Sequence, residues 1–539
     1  MTGGAAGRIG RGVLLAMMIG AGSASAQAVA HDSANRIVGI ELVRRNVGEG
    51  SFLGPITRKL HKTTQAPFIR DEYLFHVGEV YDSSRAAQTA RNLRLLGVFT
   101  SVTIDTVRTD SGLVVRVHTQ DGWSTKIITA LRTTGGSAAW TLGLVETNLL
   151  GTITTADVRF HHDPDRDNLI LGLHRDRVIA GKIGATLQYV PRSDGALAGA
   201  ALVLPWYSNA QRFGMTVTTA DDRERIFRYL IGDPIPRDTL EERYVLGRVD
   251  VARAIVARDD HYIRVGAVFQ VRRDDFASEA TTAAVGIPGH TVTGALGVYV
   301  EDNLRDHHVV VHNFQAFGRP EDIDLSTVVR VSAFAAPTAF GYDAADAGVG
   351  PGIGIHTGFI FPGGFAYQDF AANGLYGSAG LDSGQVIAST TIALIPVARH
   401  QLILHAEAGA LRQPVPGAEF DLGLGSGPRA FAQHAFTGDR EFNLSADYRF
   451  ALIPNFLHVV GVGLAAFADY GGAWYAGSGR RTGWDAGVGL RLGVSQDPDP
   501  TVNRFDLAWR GAIPGLPGGW VFSVARGLPF AVGPRGAPR

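Results

Sequence analysis

The chain contains no cysteine, which excludes disulfide bonds, thiolate metal centres and cysteine nucleophiles. Charge of one sign is missing too. The formal net charge is −1, and the basic residues, mostly arginine, form no run. No global field would draw the molecule to nucleic acid. Long apolar runs are absent: nothing approaches the ~20 consecutive residues that a spanning helix needs. There is no Walker loop, and the glycines of Gly348 to Gly358 do not sit in a strand-turn-helix pattern. Gly377-Ser378-Ala379-Gly380 has the wrong spacing for a nucleophile elbow. His161-His162-Asp163-Pro164-Asp165 lacks a second pair of ligands and reads as a solvated turn. Asp221-Asp222 and Asp259-Asp260 also read as turn residues. These absences predict no enzyme, no cofactor and no metal.

Glycine is abundant, at 68 residues, as expected for tight turns and small inward positions. Hydrophobic content is 45%, which suits a soluble protein and a membrane barrel equally, so periodicity must decide. From about Trp123 to Phe530 a period of two recurs. Phe442, Leu444, Ala446, Tyr448 and Phe450 share one face, against Asn443, Ser445, Asp447 and Arg449 on the other. Ile263 to Arg272, Trp484 to Ser495 and Arg504 to Arg510 repeat the pattern, with charge and glycine on the polar side. A strand between lipid and a polar lumen needs this alternation over ~9–11 residues. At roughly 25 residues per strand plus loop, the segment predicts about 16 antiparallel transmembrane strands, with about 14 or 18 also fitting. A soluble β-rich protein is the alternative.

The start of the chain reads as a secretory signal. Arg8 and Arg11 precede an apolar stretch from Val13 to Ile19, and Ala24-Ser25-Ala26 offers a small-x-small cleavage site. The expected organisation is a signal peptide over 1–26, a small α/β domain over 33–120, a barrel over 121–530 and a polar tail over 531–539. In the α/β domain, Ile37 to Val43 reads as a strand and Gly54 to Thr63 as a short helix. A second helix starts at Asp82 or Ser83, and two strands follow, joined at Asp110-Ser111-Gly112. The order is β-α-α-β-β.

Several motifs in this order resemble the BamA/TamA-like outer-membrane assembly and translocation superfamily, of bacterial surface antigen type. Gly78-Glu79-Val80-Tyr81-Asp82 and Leu93-Arg94-Leu95-Leu96-Gly97-Val98-Phe99 resemble stretches of a single POTRA domain. Asp121-Gly122-Trp123-Ser124 is similar to the family's POTRA-to-barrel transition. Glu146-Thr147-Asn148-Leu149-Leu150-Gly151 and Pro205-Trp206-Tyr207-Ser208 resemble its barrel motifs. Gly427, Arg429 and Phe431 stand where the family's sixth extracellular loop carries its lumen motif. Asp469, in Phe467-Ala468-Asp469-Tyr470-Gly471, stands where its carboxylate partner lies. Pro428 and Ala430 depart from the family, which has an aliphatic residue and a glycine there.

The resemblance implies an outer-membrane barrel with its N-terminal domain in the periplasm. It implies insertion or translocation of unfolded or secreted polypeptide clients. A client strand would pair with the domain along Phe99, Val102 and Ile104. Outer-membrane lipid is the other partner, with room for an accessory protein and none for nucleic acid. A passive pore or structural barrel without assembly activity stays open as the alternative.

Overall fold

The computed structural model describes residues 35–47, 61–134, 137–179, 181–229, 236–278, 290–315, 317, 320–340, 348–397, 399–414, 417–423, 426–457, 460–494 and 502–530. The expected signal segment, most of the helix expected over Gly54 to Thr63, and the expected tail lie outside them.

The N-terminal domain contains β1 (Ile37–Arg45), α1 (Ala66–Arg70), α2 (Ser83–Leu95), β2 (Phe99–Thr109) and β3 (Gly112–Asp121). The sheet order is β1-β3-β2, with β1 parallel and β2 antiparallel to β3. Helix α2 begins where the Asp82 carboxylate accepts the Ser84 N–H at 2.8 Å, satisfying a donor with no partner inside the helix. It buries Ala86, Thr89, Ala90 and Leu93, one stripe at helical spacing. The chain leaves it through Gly97, at φ 67°. The core joins Leu93 to Ile37, Ile69, Phe75, Phe99, Val115 and Val117. Each large side chain there contributes about 1.5–3 kcal/mol. Residues 61–63, the described end of the first expected helix, are irregular; α1 starts later, at Ala66, with Pro67 in its first turn.

Among the described residues, the rest of the chain forms twenty barrel strands and two small hairpins. The series opens with β4 (Thr125–Thr134), β5 (Ser137–Glu146), β6 (Thr154–His162), β7 (Asp167–Ile179) and β8 (Ile183–Arg192). It continues through β9 (Gly195–Leu204), β10 (Phe213–Tyr229), β11 (Pro236–Ala257), β12 (Tyr262–Ser278) and β13 (His290–Arg305). A hairpin of β14 (His308–His312) and β15 (Pro320–Asp324) interrupts it. The wall resumes with β16 (Thr327–Ala336), β17 (Gly348–Phe361), β18 (Gly364–Gly377), β19 (Gly380–Val397) and β20 (His400–Arg412). A second hairpin, β21 (Phe420–Leu422) with β22 (Phe436–Gly438), precedes β23 (Arg440–Phe456) and β24 (Val460–Trp474). Last come β25 (Gly483–Val494), β26 (Val502–Arg510) and β27 (Gly519–Arg526), which closes the barrel against β4.

Twenty strands replace the expected 16, and also exceed the 14 or 18 that seemed compatible. Many connections are tight, so strand plus turn takes closer to about 20 residues than 25. The wall is inverted relative to a soluble protein. Leu444, Tyr448, Leu464, Val488 and Leu507 are exposed on the outside, whereas Asp447, Arg449, Asp469, Arg491 and Asp506 are buried inside. Apolar outside and charged inside is the arrangement a bilayer demands of a barrel.

Strands β10 to β13 run longer than a bilayer requires. Towards the rim opposite the N-terminal domain, their outer face becomes charged, with Arg243 on Asp221 at 2.8 Å and Arg273 on Asp275 at 2.9 Å. Asp221 and Asp222 are therefore mid-strand in β10, not in a turn. Asp222 points inward and accepts from Arg192 at 2.6 Å. Asp259 does lie in a turn, between β11 and β12. Phe530, expected near the end of the wall, lies beyond it. Gly527, at φ 78°, turns the chain inward, and Phe530 stacks on the lumen residue His405 at 4.0 Å.

Candidate functional site

Two constellations stand out, one in the lumen and one where the domain joins the barrel. The lumen site sits on four consecutive strands. Inward positions place Ser445, Asp447 and Arg449 on β23, Asp469 on β24, Asp485 and Arg491 on β25, and Arg504 and Asp506 on β26. The register sets Asp469 directly opposite Asp485 and Arg491 opposite Arg504. Like charges facing one another across a ladder repel, so the wall needs counter-groups between them.

The connection from β20 to β23 supplies them. It folds into the barrel, and Arg429 enters the gap. Its Nε and Nη2 donate to the two oxygens of Asp469 at 2.6 and 3.1 Å, and its Nη1 donates to Asp447 at 3.0 Å. The backbone N–H of Ala430 donates to Asp485 at 2.9 Å. Ser445 donates to Asp469 at 2.7 Å, and the guanidinium lies 3.8 Å from the centre of the Phe467 ring. Only arginine presents a planar fork able to satisfy one carboxylate with two parallel donors while a third reaches another. Arg449 donates to Asp447 at 2.8 Å and Arg491 lies on Asp506 at 2.5 Å, so four arginines face four aspartates.

The loop tip fits because of glycine in two places. Gly427 takes φ 83°, so the positive-φ turn falls there and Ala430 escapes it. Gly483 leaves the space that Phe431 fills: a Cβ there would lie 2.4 Å from the ring tip. Phe431 is fully buried beside Phe436, with ring centroids 4.9 Å apart. This is the eighth connection at its rim, not the sixth, because four more strands than expected precede it. Counted from the chain end, two further connections follow it.

Higher in the same loop, His434 is held between carboxylates. Nε2 lies 2.9 Å from Asp165 and Nδ1 2.9 Å from Asp421, with the ring stacked on Tyr229 at 3.8 Å. Burial pulls the imidazole pKa down, but the two carboxylates outweigh it and raise it to about 9. Asp165, read as part of a solvated turn, is thus an anchor for the loop. His161 and His162 pair locally with Asp163 and Asp167.

The second constellation joins two motifs that are distant in sequence. One oxygen of Asp121 accepts the Thr64 N–H at 2.7 Å and the Thr64 hydroxyl at 3.0 Å, and lies 3.0 Å from His61 Nε2. His61 Nδ1 lies 2.9 Å from Ser124 Oγ. A serine, a histidine and an aspartate in contact suggest hydrolysis, but all three are buried and the carboxylate is committed to Thr64. They form a clasp. Asn148 completes it, donating to Thr64 Oγ1 at 2.8 Å and accepting the Ile153 N–H at 3.0 Å. Gly151 allows the closest approach: at φ 76°, its Cβ would lie 2.7 Å from the Thr63 carbonyl.

The domain also docks on barrel turns. Glu72 pairs with Arg177, Asn92 donates to the Tyr207 carbonyl at 2.8 Å, and Arg85 reaches Asp259 at 3.3 Å. The residues expected to meet a client behave differently from that expectation. Phe99 and Val102 are buried in the domain core and Ile104 packs against it, so their side chains face the helices. Strand β2 is one of the two edges of the sheet, and Ser101, Thr103 and Asp105 are its outward residues.

Several solved structures resemble the chain. BamA from Haemophilus ducreyi lacking POTRA domains 1-3 is 10% identical, with 91% of this chain and 84% of that one covered, at a TM-score of 0.38. CdiB from Escherichia coli is 12% identical over 92% and 76%, at 0.49. CdiB from Acinetobacter baumannii is 12% identical over 91% and 74%, at 0.44. No protein-family model matches the chain, and no curated protein matches it in sequence. TM-scores below 0.5 are too low to argue from, so the reading of the fold rests on the strands, their register and the inverted wall.

Proposed function

We propose that this protein is an outer-membrane barrel that assists insertion or translocation of polypeptide clients, with its N-terminal domain acting as a single periplasmic POTRA. The observation that carries the reading is the lumen clasp, in which a loop folded into the barrel presents Arg429 to Asp469 at 2.6 Å. A rigid passive pore has no need to invest a buried ion network in one loop tip. A barrel that must hold its lumen shut until a client arrives does. The client would meet the free edge of β2, pairing through backbone groups while Ser101, Thr103 and Asp105 face it. Of the two closing strands, β27 has 8 residues, fewer than any other described strand of the wall, which suits a seam that opens.

The test is the folding rate of an unfolded outer-membrane client into liposomes, with and without the purified protein. Acceleration that disappears when residues 36–121 are deleted supports the reading. No acceleration with several clients would move it to a translocator dedicated to one partner, or to a passive barrel.

A further inference from the structure

The lumen is filled from both rims, and the filling at the domain side comes from a different segment than the loop described above. Strands β13 and β16 are neighbours in the wall, and such neighbours are ordinarily joined by 2–5 residues. Here the connection runs over 306–326 and carries its own hairpin, β14–β15. We propose that this insertion is a second plug, held shut by helix α2 of the N-terminal domain and coupled to the far-rim loop through Arg449 and Asp447.

The insertion is seated in the lumen. Phe314 is fully buried among Phe365, Tyr367, Ile403 and Phe530. Phe317 reaches further round the wall, to β24 and β25, which lack side chains where it lands. A Cβ on Gly461 or Gly463 would lie 2.5 Å from Phe317, and one on Gly493 3.1 Å. Gly358 likewise yields to Leu325, whose Cδ2 a Cβ would meet at 2.6 Å. Three strands with glycine under one segment describe a fitted seat. Glu321 fixes the turn by accepting the N–H groups of Phe314 and Gln315 at 2.9 and 2.8 Å.

The latch lies on the domain side. Arg94, near the end of α2, donates from Nε and Nη2 to the two oxygens of Asp322 on β15, at 2.6 and 2.8 Å. This is a paired, partly buried fork of the strong kind. The coupling runs the other way from the plug. Arg449 donates from Nη1 to the Phe314 carbonyl at 3.0 Å and from Nε to Asp447 at 2.8 Å. The other oxygen of Asp447 accepts Arg429 at 3.0 Å. A single carboxylate therefore sits between the two plugs. Moving the domain breaks the Arg94 fork, frees the hairpin and deprives Arg449 of one of its two anchors.

The test reads single-channel conductance of the full chain in planar bilayers with no client present, so its failure leaves client handling standing and the reverse also holds. The unmodified protein is expected to stay closed for most of the record. Arg94→Glu and Asp322→Arg should each raise the open fraction about tenfold, equivalent to about 1.4 kcal/mol of lost preference for the closed state. The double swap should return it towards the starting level. Because the chain has no cysteine, Phe317→Cys with Gly461→Cys introduces one defined pair. The ideal Cβ at 461 lies 2.5 Å from Phe317 Cβ, so a small shift reaches the ~3.5–4.5 Å of a disulfide. Oxidation should hold the pore closed even with Arg94→Glu, and reduction should reopen it. The proposal is overturned if replacing 308–324 by a short turn leaves conductance unchanged. It is also overturned if Arg94→Glu and Asp322→Arg, each showing the gel mobility of a folded barrel, stay as closed as the parent.

Discussion

Arg429→Ala tests the lumen clasp most directly. The substitution removes the guanidinium that bridges Asp469 and Asp447 and leaves three arginines against four aspartates in a buried cluster. Removing one partner of a buried ion pair typically costs 3–5 kcal/mol, because the remaining charge is stranded without water. Arg429→Lys should recover only part of this, since an ammonium cannot serve both oxygens of Asp469 and also reach Asp447. The assay is the urea midpoint of the folded barrel in detergent, read by gel mobility, together with trypsin access to the loop. Arg429→Ala combined with Asp469→Asn should lose less than the two single changes added together. If Arg429→Ala unfolds at the parent's midpoint and its loop stays protected, the electrostatic account of the clasp is wrong.

Three further outcomes follow from the geometry. His434 has a raised pKa of about 9 against an ordinary value near 6.5. Its contribution to loop closure is complete below about 6.5 and is lost as pH rises through about 9; the shift corresponds to about 3 kcal/mol. Protease access to the loop should therefore increase between pH 8 and pH 10, and His434→Gln should flatten that dependence. Asp121→Asn weakens the acceptor shared by Thr64 and His61 and should cost about 1–3 kcal/mol, seen as faster proteolytic release of the N-terminal domain from an intact barrel. Gly483→Ala places a methyl 2.4 Å from Phe431 on a backbone that alanine otherwise accepts. It should loosen the loop tip, measured as greater conductance noise, while strand content by circular dichroism stays the same.

The strand count shows one boundary of what could be read from residues. Alternation identified β23, β25 and β26 by their faces, and the same alternation named Asp447, Arg449, Asp485, Arg491, Arg504 and Asp506 as inward-facing. It could not count strands, because tight turns such as the one joining β8 to β9 leave little punctuation between alternating runs. Asp221 and Asp222 were misplaced for a related reason. A charged pair reads as a turn unless one knows that β10 continues past the bilayer and offers a wet face to each side. Five-residue α1 was missed because one turn of helix carries almost no periodic signal.

What the sequence determined by itself is the set of faces and the set of motifs. A period of two sorts side chains into lipid and lumen without reference to any partner, and Asp82, Gly97 and Gly112 punctuate the small domain locally. Which inward charges meet was decided only by tertiary structure. Register is a property of pairs of strands, and Asp469 acquires its need for Arg429 because the pairing of β24 with β25 sets it opposite Asp485. The same holds for Asp121 with Asn148, for His434 with Asp165, and for Phe317 in its seat of glycines. Each joins segments that no local rule connects, and each exists because a closed barrel brings its two rims, its loops and its N-terminal domain into one enclosed volume.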